Sequence, residues 1–244
     1  MSKHSWPSIV VSVALLLGIA QASGDITRRG DMVVGVPDDG DWPLAETPPL
    51  AIDDNVYTKY LHFKGDFNPY AGPTGFRVTP SVGHTVVTGL TFSTANDAPG
   101  RDPTSFALYG SNGSIHGPYT LIAEGSIADF AMANPWPRLT KTRQPITFAN
   151  GVAYMHYQVV FPSIRGPVGG EVNSMQIAEV ELLAITEKAT DPNPADGAVG
   201  VALPVISWRK GDTAAPHDVY LGTTANLTVA DLKSSYQSGS TYYH

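Results

Sequence analysis

The sequence predicts an all-β protein made of stacked sheets. Three observations point that way: apolar residues recur at every second position, turn-forming clusters divide the runs, and no segment sustains a helical period. Of 244 residues, 24 are glycine and 20 proline while only 15% are charged, a balance that suits short strands and tight turns better than long solvated helices.

The chain opens with the pattern of an export signal. Lys3 supplies the positive end, Ile9 to Ile19 form an apolar stretch, and Ala20-Gln21-Ala22 is a small-x-small cleavage site. Residues 1–22 are therefore expected to be a signal peptide, and the mature protein to be secreted or held at the cell surface. The stretch is shorter than the ~20 apolar residues of a spanning helix, and nothing later approaches that length. From residue 23 to about 47 the chain is polar and turn-rich, with a short strand expected around Asp31 to Val36.

Alternation then sets in. Within TVVTGLTFST, Val86, Thr88, Leu90 and Phe92 are expected on one face, with Thr91 and Ser93 on the other. In YMHYQVVF the apolar face is Met155, Tyr157, Val159 and Phe161, opposite Tyr154, His156 and Gln158. MQIAEVELLAI puts Ala178, Val180, Leu182 and Ala184 on one face and Glu179 and Glu181 on the other. Turn clusters at Asn96–Gly100, Gly110–Gly113 and Gly166–Gly170 separate the runs. A Pro/Asp/Gly stretch at 187–199 reads as a linker, after which Val205–Trp208 and His217–Leu221 read as new strands.

Composition excludes several functions. A net charge of −7, with no Lys/Arg run, argues against nucleic acid and against a polybasic membrane patch. Cysteine is absent, which removes disulfides, thiolate metal sites and thiol nucleophiles. The seven histidines are scattered, and no nucleophile elbow, phosphate loop, dinucleotide fingerprint or metalloprotease helix is present. No acid–base pair is nameable, so the chain is read as non-enzymatic.

Three motifs carry a resemblance: Ala51–Tyr60 (AIDDNVYTKY), Asp97–Asn112 (DAPGRDPTSFALYGSN) and Ser174–Leu183 (SMQIAEVELL). Together they make residues 23–186 resemble the discoidin-like, or coagulation-factor C-type, domains, a galactose-binding-like jelly-roll sandwich shared by many bacterial carbohydrate-binding modules. The resemblance implies a structural calcium site. Asp53 would give a carboxylate, Asn55 a backbone carbonyl, Thr58 its hydroxyl and carbonyl, Ala178 a carbonyl and Glu179 a carboxylate. Asp54 stands where the family usually has glycine.

Residues 200–244, with the cues from Pro194 to Ala198, resemble an incomplete fibronectin type III-like sandwich. The sequence is accordingly expected to be part of a larger multidomain chain, with Ile206, Trp208 and Val219 left on an open apolar face. What the resemblance implies is a secreted, non-catalytic module whose partner is a polysaccharide or other glycan. The alternatives are an adhesive spacer that binds protein or nothing, and the targeting end of a larger glycan-active enzyme. A sugar site needs aromatic rings and polar groups on loops, and the candidates are Trp136, Arg165, His116, Tyr70 and Arg77, with Phe67 and Tyr119 nearby in type. Arg101 and Asp97 are expected to pair across their loop.

Overall fold

A computed structural model describes residues 24–63, 72–166, 172–185, 190–193, 205–209, 217–220 and 228–243. The expected signal peptide, Phe67 and Tyr70 lie outside the described residues. Among the described residues all regular structure is β apart from three single turns of 3-10 helix, including Pro48–Ala51 and Pro99–Arg101. No helix among the described residues is long and apolar enough to cross a membrane.

Two antiparallel sheets form the main sandwich. In chain order its strands are β1 (Gly24–Asp25), β2 (Met32–Val36), β3 (Tyr60–His62), β4 (Thr74–Thr79), β5 (Val86–Ser93), β6 (Ser105–Ser111), β7 (Thr120–Ser126), β8 (Ile146–Thr147), β9 (His156–Phe161), β10 (Met175–Ile177) and β11 (Glu179–Ile185). One sheet has the order β2-β4-β9-β6-β7, the other β1-β11-β5-β8, and β3 pairs with β10 at one end. Sequence neighbours are mostly not sheet neighbours, as in a jelly roll.

Alternation drives the packing. Phe76 and Val78 of β4, Phe106 and Leu108 of β6, and Tyr157, Val159 and Phe161 of β9 meet Leu90 and Phe92 of β5 and Val180 and Leu182 of β11 in one core. Phe92 sits 5.6 Å from Phe106 and 6.1 Å from Phe161, centroid to centroid. Each such ring contributes roughly 1.5–3 kcal/mol by leaving water.

From His156 to Phe161 the expected face of β9 matches the structure, as does that of β11, but Tyr154, expected opposite the core, packs against it and Met155 is only half-buried; the face of β5 is half right. Val87, not Val86, lies in the core beside Leu90 and Phe92. The ladder explains this. Val87 pairs with Ala184 and Gly89 with Leu183, so two steps on β5 match one on β11 and Thr88 is the extra residue of a bulge. A bulge reverses the phase of alternation upstream of it.

Beyond the sandwich, β12 (Thr190–Asn193), β13 (Val205–Arg209) and β16 (Thr241–Tyr243) form one small sheet, and β14 (His217–Tyr220) with β15 (Leu232–Gln237) another. Part of the expected linker is thus a strand, held by the pairing of β12 with β13. The three residues expected on an open apolar face are covered to different degrees. Val219 is buried and Ile206 and Trp208 are half-buried.

Candidate functional site

Loops at one end of the sandwich are tied by buried polar groups. Lys59, just before β3, sends its ammonium 2.8 Å from Asp97 Oδ1 and 3.2 Å from Gln176 Oε1, with Glu46 at 3.5 Å. Asp97 therefore pairs with Lys59, and Arg101 is only a neighbouring charge. Arg138 grips the buried carboxylate of Asp102 with both terminal nitrogens and donates from Nε to Ala95 O. These bonds fix the 95–103 loop against the segment that follows β7.

That following segment carries an open cleft of about 620 Å³, lined by Ser126, Asp129, Met132, Arg143, Gln144 and Ile146 among others. Arg143 dominates it. Its backbone N–H donates to Asp129 Oδ2 (2.7 Å) and its Nε to Asp129 Oδ1 (3.0 Å). Its guanidinium carbon lies 4.8 Å from the Trp136 ring centroid. The Arg143 side chain is nonetheless 59% exposed. Trp136 is half-buried against the core, and its indole N–H donates to Lys141 O at 3.2 Å. Arg165 also meets this loop, but as a brace: its terminal nitrogens donate to the carbonyls of Phe130, Met132 and Ala133.

The other sequence candidates sit elsewhere. Arg77, on the outer face of β4, donates to Gln158 Oε1 (2.8 Å) and lies over Tyr119, 5.8 Å from its centroid. Tyr119 immediately precedes β7, whereas Ser126 at the far end of β7 lines the cleft. Seven residues at ~3.3 Å each put these two places roughly 20 Å apart. His116 is exposed in the turn before Tyr119. Thus Trp136 and Arg165 share one loop system, and Arg77 lies at another with Tyr119. Arg143 and Asp129 were not among the sequence candidates; neither stands in a motif, and only folding pairs them across fourteen residues.

The proposed metal ligands form a second locus, where the 53–58 loop covers the start of β11. Asp54 adopts φ +60, the left-handed turn that glycine usually takes and that aspartate tolerates better than most residues. Thr58 Oγ1 lies 2.8 Å from Asp53 Oδ1 and 2.7 Å from Asn55 O, one hydroxyl hydrogen facing two acceptors. Glu179 is only 5% exposed, and its Oε1 has no hydrogen-bond partner. Burial pushes its carboxyl up to about 8, and the nearby Asp53 and Asp54 charges add to this against the Asn55 and Asp53 backbone N–H groups. Ala178, fully buried, donates its N–H to Ser93 O at 3.0 Å.

Among the described residues no three His, Asp or Glu side chains converge as metal ligands. A cation here would therefore lean on hydroxyl and carbonyl oxygens as well as on Asp53 and Glu179. That all-oxygen set with an orphaned buried carboxylate suits a hard cation of six to eight ligands.

No family model and no curated protein matches the sequence. Solved structures similar to it include the family 32 carbohydrate-binding module of Clostridium perfringens NanJ in complex with galactose. That module is 17% identical with a TM-score of 0.44, covering 63% of this chain and 93% of that one. Another is a Clostridium perfringens family 32 module in complex with GalNAc-β-1,3-galactose, 16% identical with a TM-score of 0.46, over 65% of this chain and 99% of that one. A third is an F5/8 type C domain from Bacteroides fragilis, 13% identical with a TM-score of 0.46, over 67% and 97%. Solved structures similar to this chain thus include family 32 carbohydrate-binding modules and an F5/8 type C domain.

Proposed function

We propose that the chain is a non-catalytic carbohydrate-binding module of an exported protein, with the Arg143 cleft as its sugar seat. One observation supports this reading: Arg143 is exposed yet bonded to Asp129 and laid on Trp136. A sugar offers hydroxyls and patches of C–H, and it is held by fixed polar donors beside apolar walls. Arg143, Gln144 and Ser126 supply the polar groups; Met132 and Ile146 supply the walls. Because Arg143 is already ordered, less conformational entropy is lost on binding. Trp136 acts here by holding Arg143, since that guanidinium covers one face of its ring. No acid–base role is assigned to Asp129, whose carboxylate is engaged by Arg143.

The test is a glycan array followed by calorimetry on the full chain, with galactose- and N-acetylgalactosamine-terminated sugars included. Binding that is lost in R143A supports the cleft. Binding that survives in R143A moves the seat elsewhere, and absence of binding to every sugar favours a spacer.

We further propose that Asp53, Asn55, Thr58, Ala178 and Glu179 hold a structural calcium ion. Bound there, the ion would supply positive charge to Glu179 and tie the 53–58 loop to β11.

A further inference from the structure

We propose that the hydroxyl of Ser93 is an additional oxygen ligand of the cation held by Asp53 and Glu179, an inference that rests on the calcium reading above.

Ser93 ends β5 and is the cross-strand partner of Glu179 on β11. Directly opposed residues in an antiparallel pair share a face, with Cβ atoms ~4.5–5.5 Å apart. Ser93 is 1% exposed and Glu179 5%. Ser93 Oγ and Glu179 Oε1 both lack any hydrogen-bond partner. Buried polar atoms are nearly always partnered, so two orphans on one rung call for a common cause.

The neighbouring rung supplies the contrast. Thr91 is the cross-strand partner of Glu181, and there the hydroxyl does donate to the carboxylate, at 2.7 Å. Glu181 also has a cation of its own, the ammonium of Lys141. Glu179 forms no such closed rung: its Oε1 is unpartnered, and the charges of Asp53 and Asp54 act on it. The same hydroxyl–carboxylate rung is thus built twice, once closed around a lysine and once left open. A divalent cation between Glu179 and Asp53 fills the second. It claims the serine's lone pair, and the hydroxyl hydrogen is left to point away from the carboxylate.

The test uses the full chain, stripped by a chelator and titrated with calcium, then with terbium as a luminescent substitute. Terbium decay rates in H₂O and D₂O count the waters on the ion. In S93A the calcium and terbium Kd should rise about tenfold or more, and one extra water should appear on terbium. S93T, which keeps the hydroxyl, should restore the wild-type water count. In chelator, S93A should melt at or above the wild-type temperature, because an orphaned buried hydroxyl has been removed.

An unchanged Kd and water count in S93A overturns the proposal, as does weaker binding with no added water. Wild-type protein that binds neither ion overturns the calcium reading itself, a result distinct from a failure of Ser93 alone.

Discussion

Arg138 meets Asp102 through two parallel contacts, one of them 2.7 Å from Nη2 to Oδ1, and buries a carboxylate that is 1% exposed. Burial still holds the Asp102 carboxyl above its ordinary range, although Arg138 and Arg165 pull the other way. Desolvation therefore outweighs the pairing. Removing only the arginine is then the damaging change, since the carboxylate stays buried without its partner. R138A should cost about 3–5 kcal/mol in urea unfolding. D102N with R138A should recover a good part of that loss, because no charge is left buried.

Arg143 differs in being mostly exposed. Its contact with Trp136 is worth about 0.5–1 kcal/mol, and its pairing with Asp129 adds about 0–1 kcal/mol. R143A should thus lower stability only slightly while abolishing sugar binding. Thermal melts run beside the calorimetry separate the two effects. A large loss of stability would mean that Arg143 holds the loop together rather than contacting sugar.

Backbone approach makes Gly75 irreplaceable. A Cβ built there would lie 2.0 Å from Val159 O and 2.7 Å from Val160 Cα, both main-chain atoms of the adjacent strand β9. G75A must push two central strands apart and should cost about 3 kcal/mol. At Gly151, by contrast, a Cβ meets nothing within 4 Å. G151A should leave stability within about 0.5 kcal/mol of wild type. Equal melting points for the two variants would overturn this reading of the β4–β9 contact.

What the sequence discloses tracks what is local. The faces of β9 and β11 follow from period-two alternation, because nothing interrupts it between Tyr157 and Phe161 or between Ala178 and Ala184. The bulge at Thr88 is invisible, since it exists only relative to the partner strand. The same distinction governs the sites. Asp53, Asn55 and Thr58 are expected as ligands through the family resemblance, and their nearness to one another is local because they lie within six residues. The closeness of Glu179 to that loop entered through the family resemblance. The Arg143–Asp129 clamp and the Ser93–Glu179 rung join residues with no pattern between them, and only the folded chain brings them together. Trp136 and Arg165 are legible as residue types, but their work as supports for Arg143 and for the 130–133 loop is not.

A calcium ion bound only by the folded protein would stabilise it by mass action, by about 2.7 kcal/mol at a hundredfold excess over Kd. Melting temperature should therefore drop on adding EGTA and recover with calcium but not magnesium. Glu179→Ala should melt at about the temperature of the chelated wild type and be insensitive to EGTA. No shift in wild type, together with no calcium by elemental analysis, would remove the site.

The final prediction concerns Asp25 on β1. Burial pushes its carboxyl up to about 6 from 3.8, against the hydrogen bonds from Thr27, while the Glu181 and Asp54 charges add to the rise. Below about pH 4 the group is protonated in both folded and unfolded chains and has no effect on stability. Between about pH 4 and 6 the unfolded chain has released the proton and the folded one retains it, so stability falls as pH rises. Above about 6 the folded protein carries an ionised, poorly solvated carboxylate, at a cost of about 2–3 kcal/mol. Asp25→Asn keeps the Oδ1 that accepts from Thr27 N at 2.9 Å and from Thr27 Oγ1 at 2.6 Å. The variant should therefore match wild type at pH 3.5 and exceed it at pH 7, with the gap opening between those values. Urea unfolding at four or five pH values measures this directly. A gap that is constant with pH would show that Asp25 is ionised in the fold at its ordinary range and that the variant acts through packing instead.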